Sequence, residues 1–264
     1  ADPGVTFGTL LDPSDVPTKT RRKVDKLRWS VSDLSLFLAA DIDTEALGLD
    51  SGNYWYLKDA GSLERAFDPG PLEDIDEFEA LFLSITSLKD PTKRKGNTHT
   101  LEVFSFLPWE GFERWASTDP DERPEDYRRI KASLQAAMLR TAERIIPGLS
   151  EAVVFQDMGT PVTNVRYCES TRGSIYGSEK TLSQMGPLGF LPKTPIKDLW
   201  LCGASTLSHG VAGATMSGLV AATQALDIPM KELLNRQGPS LRTVPCDRPE
   251  AWPDAVPQRP RPET

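Results

Sequence analysis

Asp198-Leu-Trp-Leu-Cys-Gly-Ala-Ser-Thr-Leu-Ser-His-Gly-Val-Ala-Gly-Ala-Thr-Met-Ser-Gly-Leu-Val-Ala-Ala222 is the stretch that decides how this chain is read. Residues 199–202 form a short apolar run that predicts a buried strand. Gly203 and Ala204 end it without a bulky side chain. Gly210, Val211, Ala212, Gly213 and Ala214 then open a helix on small residues, with Met216 one turn further on. A helix start has free N–H donors and partial positive charge, so it suits an anionic or electron-rich ligand. A flat ring or a pyrophosphate approaches backbone only where no Cβ obstructs it, which glycine permits. The bland alternative is a small-residue helix packed tightly on a strand.

Outward from this stretch, the chain alternates strand-like and helix-like segments. Residues 28–41, 53–57, 79–88 and 99–107 are rich in β-branched, aromatic and leucine side chains and are bounded by turn residues. In 99–107, Leu101, Val103 and Ser105 alternate with Glu102, Phe104 and Phe106, which predicts an antiparallel sheet with one face packed and one facing a cavity. Pro124 followed by Glu125 and Asp126 starts a helix. Ile130, Leu134, Met138, Ala142 and Ile145 follow helical spacing until Pro147-Gly148 stops it. The fold class expected is therefore α/β (α+β): a mixed or antiparallel sheet with helices. Past Pro239 the chain is rich in proline and arginine and reads as an extended tail.

Composition narrows the function classes. The 264 residues carry a net charge of −8, with 30 basic and 38 acidic side chains, which argues against nucleic acid as the main partner. Hydrophobic residues make up 39% of the chain, and the mean hydropathy of −0.36 fits a water-exposed globular fold. No apolar run reaches the ~18 residues of a membrane span. Cys168, Cys202 and Cys246 form no C-x-x-C pair, and with two His residues no metal site is expected. A reducing cytoplasm is the plain reading. Lys19, Arg21, Arg22, Lys23, Lys26 and Arg28 crowd one segment. They read first as a solvated helix and second as a patch for anionic lipid headgroups, a peripheral contact with a membrane. Phe112, Trp115 and Leu107 are a second candidate for membrane insertion.

Six segments together resemble the FAD-dependent desaturases and isomerases of the phytoene desaturase, carotenoid isomerase and retinol saturase group, within the amine-oxidase-like flavoproteins. They are the opening stretch 198–222, Ala1-Asp-Pro-Gly-Val-Thr-Phe7, Ser32-Asp-Leu-Ser-Leu-Phe-Leu-Ala39, Thr100-Leu-Glu-Val-Phe-Ser-Phe-Leu-Pro-Trp109, Thr160-Pro-Val-Thr-Asn-Val-Arg-Tyr167 and Gly173-Ser-Ile-Tyr-Gly177. Each motif is weak alone, and their order and spacing carry the resemblance. It implies that Gly203 and Ala204 approach the FAD diphosphate or ribityl chain. It implies that Val211, Ala212, Gly213, Ala214 and Met216, with Gly210, meet the pyrimidine edge of the isoalloxazine. It also implies that Tyr176 lines the flavin face, and that Trp29, Tyr54, Trp55, Tyr56, Phe104, Phe106 and Trp109 wall a tunnel for a long apolar polyene. No catalytic residue is singled out, because the flavin carries the redox chemistry. His209, Arg166 and His99 read as structural.

The family's G-x-G-x-x-G fingerprint, which holds the ADP half of FAD, is absent; Gly186-Pro-Leu-Gly189 has the wrong spacing. The expectation is the C-terminal half of such an enzyme, inactive without an N-terminal half or partner chain that carries the fingerprint. Residues 1–20 would return from the FAD domain, 21–150 would form the substrate domain, 151–227 the last part of the FAD domain, and 228–264 a helix and tail. A second reading stays open, a non-catalytic interaction module that keeps the fold without FAD. A hydrolase fits poorly, since Gly203-Ala-Ser-Thr-Leu207 lacks the closing glycine of G-x-S-x-G.

Overall fold

The computed structural model describes residues 2–238. The tail expected beyond residue 239, with Cys246, lies outside the described residues. Numbering only the longer helices, the elements are α1 (Thr18–Asp25), β1 (Ser32–Asp41), β2 (Asn53–Leu57), β3 (Ala80–Ile85), β4 (Thr98–Leu107), α2 (Glu125–Ala142), β5 (Val153–Gly159), α3 (Pro161–Cys168), α4 (Gly210–Leu226) and α5 (Met230–Asn235).

The five strands form one sheet in the order β2-β3-β4-β1-β5, every neighbouring pair antiparallel. β5 hydrogen-bonds along β1 from Met158 opposite Leu36 to Phe155 opposite Ala39. Residues 153–159 therefore share the sheet with residues 32–41, although the sequence expectation put a domain boundary at 150. The strand expected over 79–88 stops at Ile85, and residues 86–89 turn into a short helix.

Side chains alternate across a strand, so the register sorts them onto two faces. One face carries Leu34, Leu36, Leu38, Leu81, Leu83, Ile85, Leu101 and Val103, all buried. α2 covers it with Ile130, Leu134, Met138 and Ala142 of the helical stripe read from the sequence, together with Ala137. Fully burying each such leucine contributes about 2 kcal/mol. Two hydroxyls on this layer are paired: Thr141 Oγ1 accepts from Phe78 N–H (2.9 Å), and the Tyr127 hydroxyl pairs with Thr160 Oγ1 (3.0 Å).

The other face is aromatic and largely open. Trp55, Phe82 and Phe104 lie side by side across β2, β3 and β4, with ring centroids 4.7–5.7 Å apart. Phe104 contacts Phe106 edge-on at 5.8 Å, and Phe67 stacks on Phe106 at 4.7 Å. Phe37, Trp55 and Phe67 are 44–53% exposed. Of the seven aromatics expected to wall a tunnel, Trp55, Phe104 and Phe106 lie on this face. Tyr54, Tyr56 and Trp109 pack on the core side, because strand parity turns the tyrosines away from Trp55 and the turn after β4 folds Trp109 inward. Phe112, Trp115 and Leu107 are buried in the same core, so they cannot insert into a membrane as the sequence reading expected.

The expected strand over 199–202 does not form. Trp200 makes a single bridge to Lys193, Leu201 N–H donates to Pro192 O (2.8 Å), and Thr194 Oγ1 donates to Leu199 O (2.8 Å). Among the described residues no strand of the sheet pairs with it. The apolar run packs instead with Phe7, Val16 and Phe190 in a small second core.

Candidate functional site

Three turns meet beside the edge of the open aromatic face. The first follows α3. Pro161 occupies the first turn of α3, and Thr160 and Thr163 form a reciprocal capping box there. The helix ends at Cys168, and Glu169 leaves it in a left-handed conformation. Asp2 then holds the next residues: its carboxylate accepts from Thr171 N–H (2.8 Å) and Thr171 Oγ1 (3.0 Å) and caps Val5 N–H (2.9 Å).

The second turn is Gly173-Ser-Ile-Tyr-Gly177. Both glycines have positive φ, +61° and +70°. A Cβ on Gly173 would lie 2.6 Å from Pro161 O, and one on Gly177 would overlap Ser205 Oγ. Only glycine fits either position. Tyr176 N–H donates to Ser30 Oγ (3.0 Å), and Tyr176 packs against the small cluster of Ala66, Ala80 and Phe106, as do Val31 and Ile175. The aromatic band of the sheet thus reaches the cluster on which Tyr176 packs, and the Tyr176 ring meets His209 at 4.9 Å.

The third turn is Gly203 to Thr206. Ser178 N–H donates to Ser205 Oγ (3.1 Å), and Ser178 Oγ donates to Ser205 O (3.3 Å), fastening it to the second turn. Thr206 Oγ1 donates to Gly203 O (2.7 Å). Ser217, the one buried residue of α4, accepts from Gly203 N–H (2.7 Å) and donates to Ala214 O (2.7 Å), which ties the helix to the turn.

A cavity of about 250 Å³ opens between these turns. Cys168, Glu169, Ser170 and Ser174 line one side, and Gly177, Cys202, Gly203 and Ala204 the other. Ser170 Oγ and Ser174 Oγ are both buried and neither has a hydrogen-bond partner within the protein. A buried unpaired hydroxyl costs about 1–3 kcal/mol, and both belong to residues that line this cavity. Gly203 has φ +101° and nothing within 4 Å of its Cβ position, which leaves the backbone approachable from the cavity.

Of the residues expected to hold the cofactor, Gly203 and Ala204 line this cavity and Tyr176 stands one residue from it. Gly210, Val211 and Ala212 are exposed at the start of α4, which has no side-chain cap, and Met216 is exposed on its surface. Two details of the expectation fail. The Gly203 N–H is not free, since Ser217 accepts it. Gly213 does not present open backbone: a Cβ there would lie 2.6 Å from the Ser208 carbonyl group, so this glycine serves close packing of the 208 turn on the helix. His209 makes no side-chain cap to α4. Ser205 is buried with its hydroxyl engaged by Ser178, so the hydrolase arrangement is not built. Sequence reasoning missed Asp2, Ser170 and Ser174. Asp2 before Pro3 was readable as a helix cap, whereas nothing local marks the two serines.

No protein-family model matches the chain. Curated relatives do match. An all-trans-retinol 13,14-reductase from Danio rerio is 30% identical over 247 residues, covering 86% of this chain and 39% of that protein. A chloroplastic prolycopene isomerase from Arabidopsis thaliana is 25% identical, covering 86% of this chain and 36% of that protein. This chain is a homologue of the retinol reductases and prolycopene isomerases. The homology extends to a Danio rerio protein described as an inactive all-trans-retinol 13,14-reductase, 24% identical over 84% of the chain and 38% of that protein. The chain spans somewhat over a third of the length of these relatives.

Proposed function

We propose that this chain is the C-terminal part of an FAD-dependent oxidoreductase that reduces, desaturates or isomerises a long apolar polyene of the retinoid or carotenoid class. The observation that carries the reading is the aromatic band from Trp55 through Phe82 and Phe104 to Phe106, with Tyr176 packed on the same small cluster as Phe106 and one residue from the cavity at Gly203. A conjugated chain is flat and apolar, and ring faces receive it along its length while excluding water. The relatives named for retinol and prolycopene give the substrate class.

The residues present fit a flavin in the cavity. Its phosphate or ribityl oxygens would satisfy the Ser170 and Ser174 hydroxyls, and the bare Gly203 backbone leaves room for a flat group. When bound, FAD supplies the redox chemistry of the reaction. The uncapped N–H groups at Gly210, Val211 and Ala212 put positive potential at the start of α4, favourable to an electron-rich ring edge. Tyr176 and His209 close the end of the aromatic band and hold the polyene end in register. The ADP half of FAD would be held by an N-terminal segment or partner chain bearing G-x-G-x-x-G. The 17-residue α4, without a charged side chain and with only Ser217 buried, supplies a face for it.

The test is co-expression of this chain with an upstream polypeptide carrying the fingerprint. The expected result is a yellow complex that converts all-trans-retinol or a carotene, while the isolated chain is colourless and inert. A second reading is a non-catalytic module without FAD, favoured by the Ser208 closure over Gly213 and by the relative described as inactive. It predicts a stable complex with no flavin absorption, and that outcome would overturn the first reading.

A further inference from the structure

We propose that α1 and the loop over residues 182–191 together form a docking surface for an anionic membrane. This stands apart from the flavin reading, since none of its residues lines the cavity at Gly203.

The chain as a whole is acidic, yet α1 and its cap carry Lys19, Arg21, Arg22, Lys23 and Lys26 against a single acid, Asp25. Among the described residues none of these five cations enters an ion pair, although thirteen ion pairs are formed elsewhere. The neighbouring loop displays the opposite chemistry. Leu182 is 93% exposed and Leu188 61%, and Met185 and Leu191 are also exposed.

The loop is held in this position. Lys23 Nζ donates to Gly189 O (2.5 Å) and lies 4.6 Å above the Phe190 ring. Arg28 N–H donates to Gln184 Oε1 (2.8 Å), and Gln184 Nε2 donates back to Arg28 O (2.9 Å). The leucines therefore project from a fixed scaffold beside the cations.

Two clefts join the two chemistries. One, about 330 Å³, has Phe7 and Phe190 as its floor and Lys19, Lys23, Lys193 and Leu191 around it. The other, about 590 Å³, is lined by Lys19, Arg22, Lys23, Lys26 and Leu188. Lys19, Lys23 and Pro187 form the wall between them. Cations that meet phosphates, with aliphatic side chains set to enter the acyl boundary, are the combination an interfacial surface requires. Burial and the nearby Lys19 charge hold the Lys23 ammonium below its usual range, so an anion brought to the cleft removes a standing cost. The isolated, protruding leucines distinguish this surface from a site for a free anion, which needs only the cations.

The experiment is sedimentation of the full 264-residue chain with phosphatidylcholine vesicles, with and without phosphatidylserine. We expect binding to the anionic vesicles alone, weakening as salt rises. Each cation near an anionic leaflet contributes about fivefold to partitioning, so Lys19→Glu with Arg22→Glu should weaken it at least tenfold. Leu188→Ser with Leu191→Ser should weaken binding at unchanged circular dichroism, and a Leu188→Trp variant should shift its emission to the blue on anionic vesicles. Equal binding to neutral vesicles, no binding to either, displacement by inorganic phosphate alone, or leucine variants that bind as the parent does would each overturn the proposal.

Discussion

His99 shows how a single side chain couples this fold to pH. It is fully buried in β4, its Nδ1 pairs with Ser87 Oγ (2.9 Å), and its Nε2 has no partner. Burial, with a smaller contribution from the Arg94 charge, lowers its pKa from 6.5. The folded state therefore binds a proton less readily than the unfolded chain. The contribution to stability is complete above about pH 6.5 and is lost as pH falls through the unfolded value toward the folded one. The melting temperature should drop between neutral pH and mildly acid buffer, and His99→Gln should flatten that slope. A parent and variant with parallel profiles would show that another group controls it. Gly177 makes a steric argument at the same scale. An alanine there combines a left-handed backbone with overlap of Ser205 Oγ, so Gly177→Ala should destabilise by about 2 kcal/mol or more in denaturant unfolding. The sequence marked this turn as Gly-x-x-Tyr-Gly, but its reason, the Ser205 hydroxyl, comes from 28 residues further along the chain.

Elements with strong period or sharp boundaries were legible. β2 and β4 match their apolar segments to within a residue, and α2 begins after Pro124 as its capping signals demand. These signals are local, so a linear reading finds them. The segment over 199–202 misled because an apolar run of four residues is equally a strand or a hydrophobic plug, and only its tertiary packing, here against Phe7, Val16 and Phe190, separates them. α4 was found, with its small-residue opening at Gly210. Its attachment through Ser217 was not visible, since serine in a helix interior is usually a neutral surface choice. Ser217→Val should leave Gly203 N–H without its acceptor and cost about 1–3 kcal/mol. Hydrogen exchange should report faster opening confined to 203–217. An unchanged exchange pattern would mean that the helix is held by other contacts.

At the scale of the whole molecule, the decisive feature is a sheet with one closed face and one open aromatic face. Its functional consequence is testable in the reconstituted complex. Trp55 is half-exposed and contributes little to the core, so Trp55→Ser should raise KM for the polyene severalfold with a melting temperature close to the parent's. A change in kcat alone, or global destabilisation, would argue against a substrate wall. The acidic surface away from α1 gives no reason for nucleic acid, and among the described residues no helix is long and apolar enough to cross a membrane. By itself the sequence determined most of the strands and helices, the Gly-bounded turn at 173–177 and the small-residue segment at 203–214, because propensity, spacing and backbone freedom act between near neighbours. Only the tertiary structure decided which aromatics share the open face, that Gly203 rather than Gly213 remains approachable, and that two serines with unpartnered hydroxyls line one cavity. Those depend on strand register and on contacts between segments as much as 169 positions apart along the chain, where no local signal reaches.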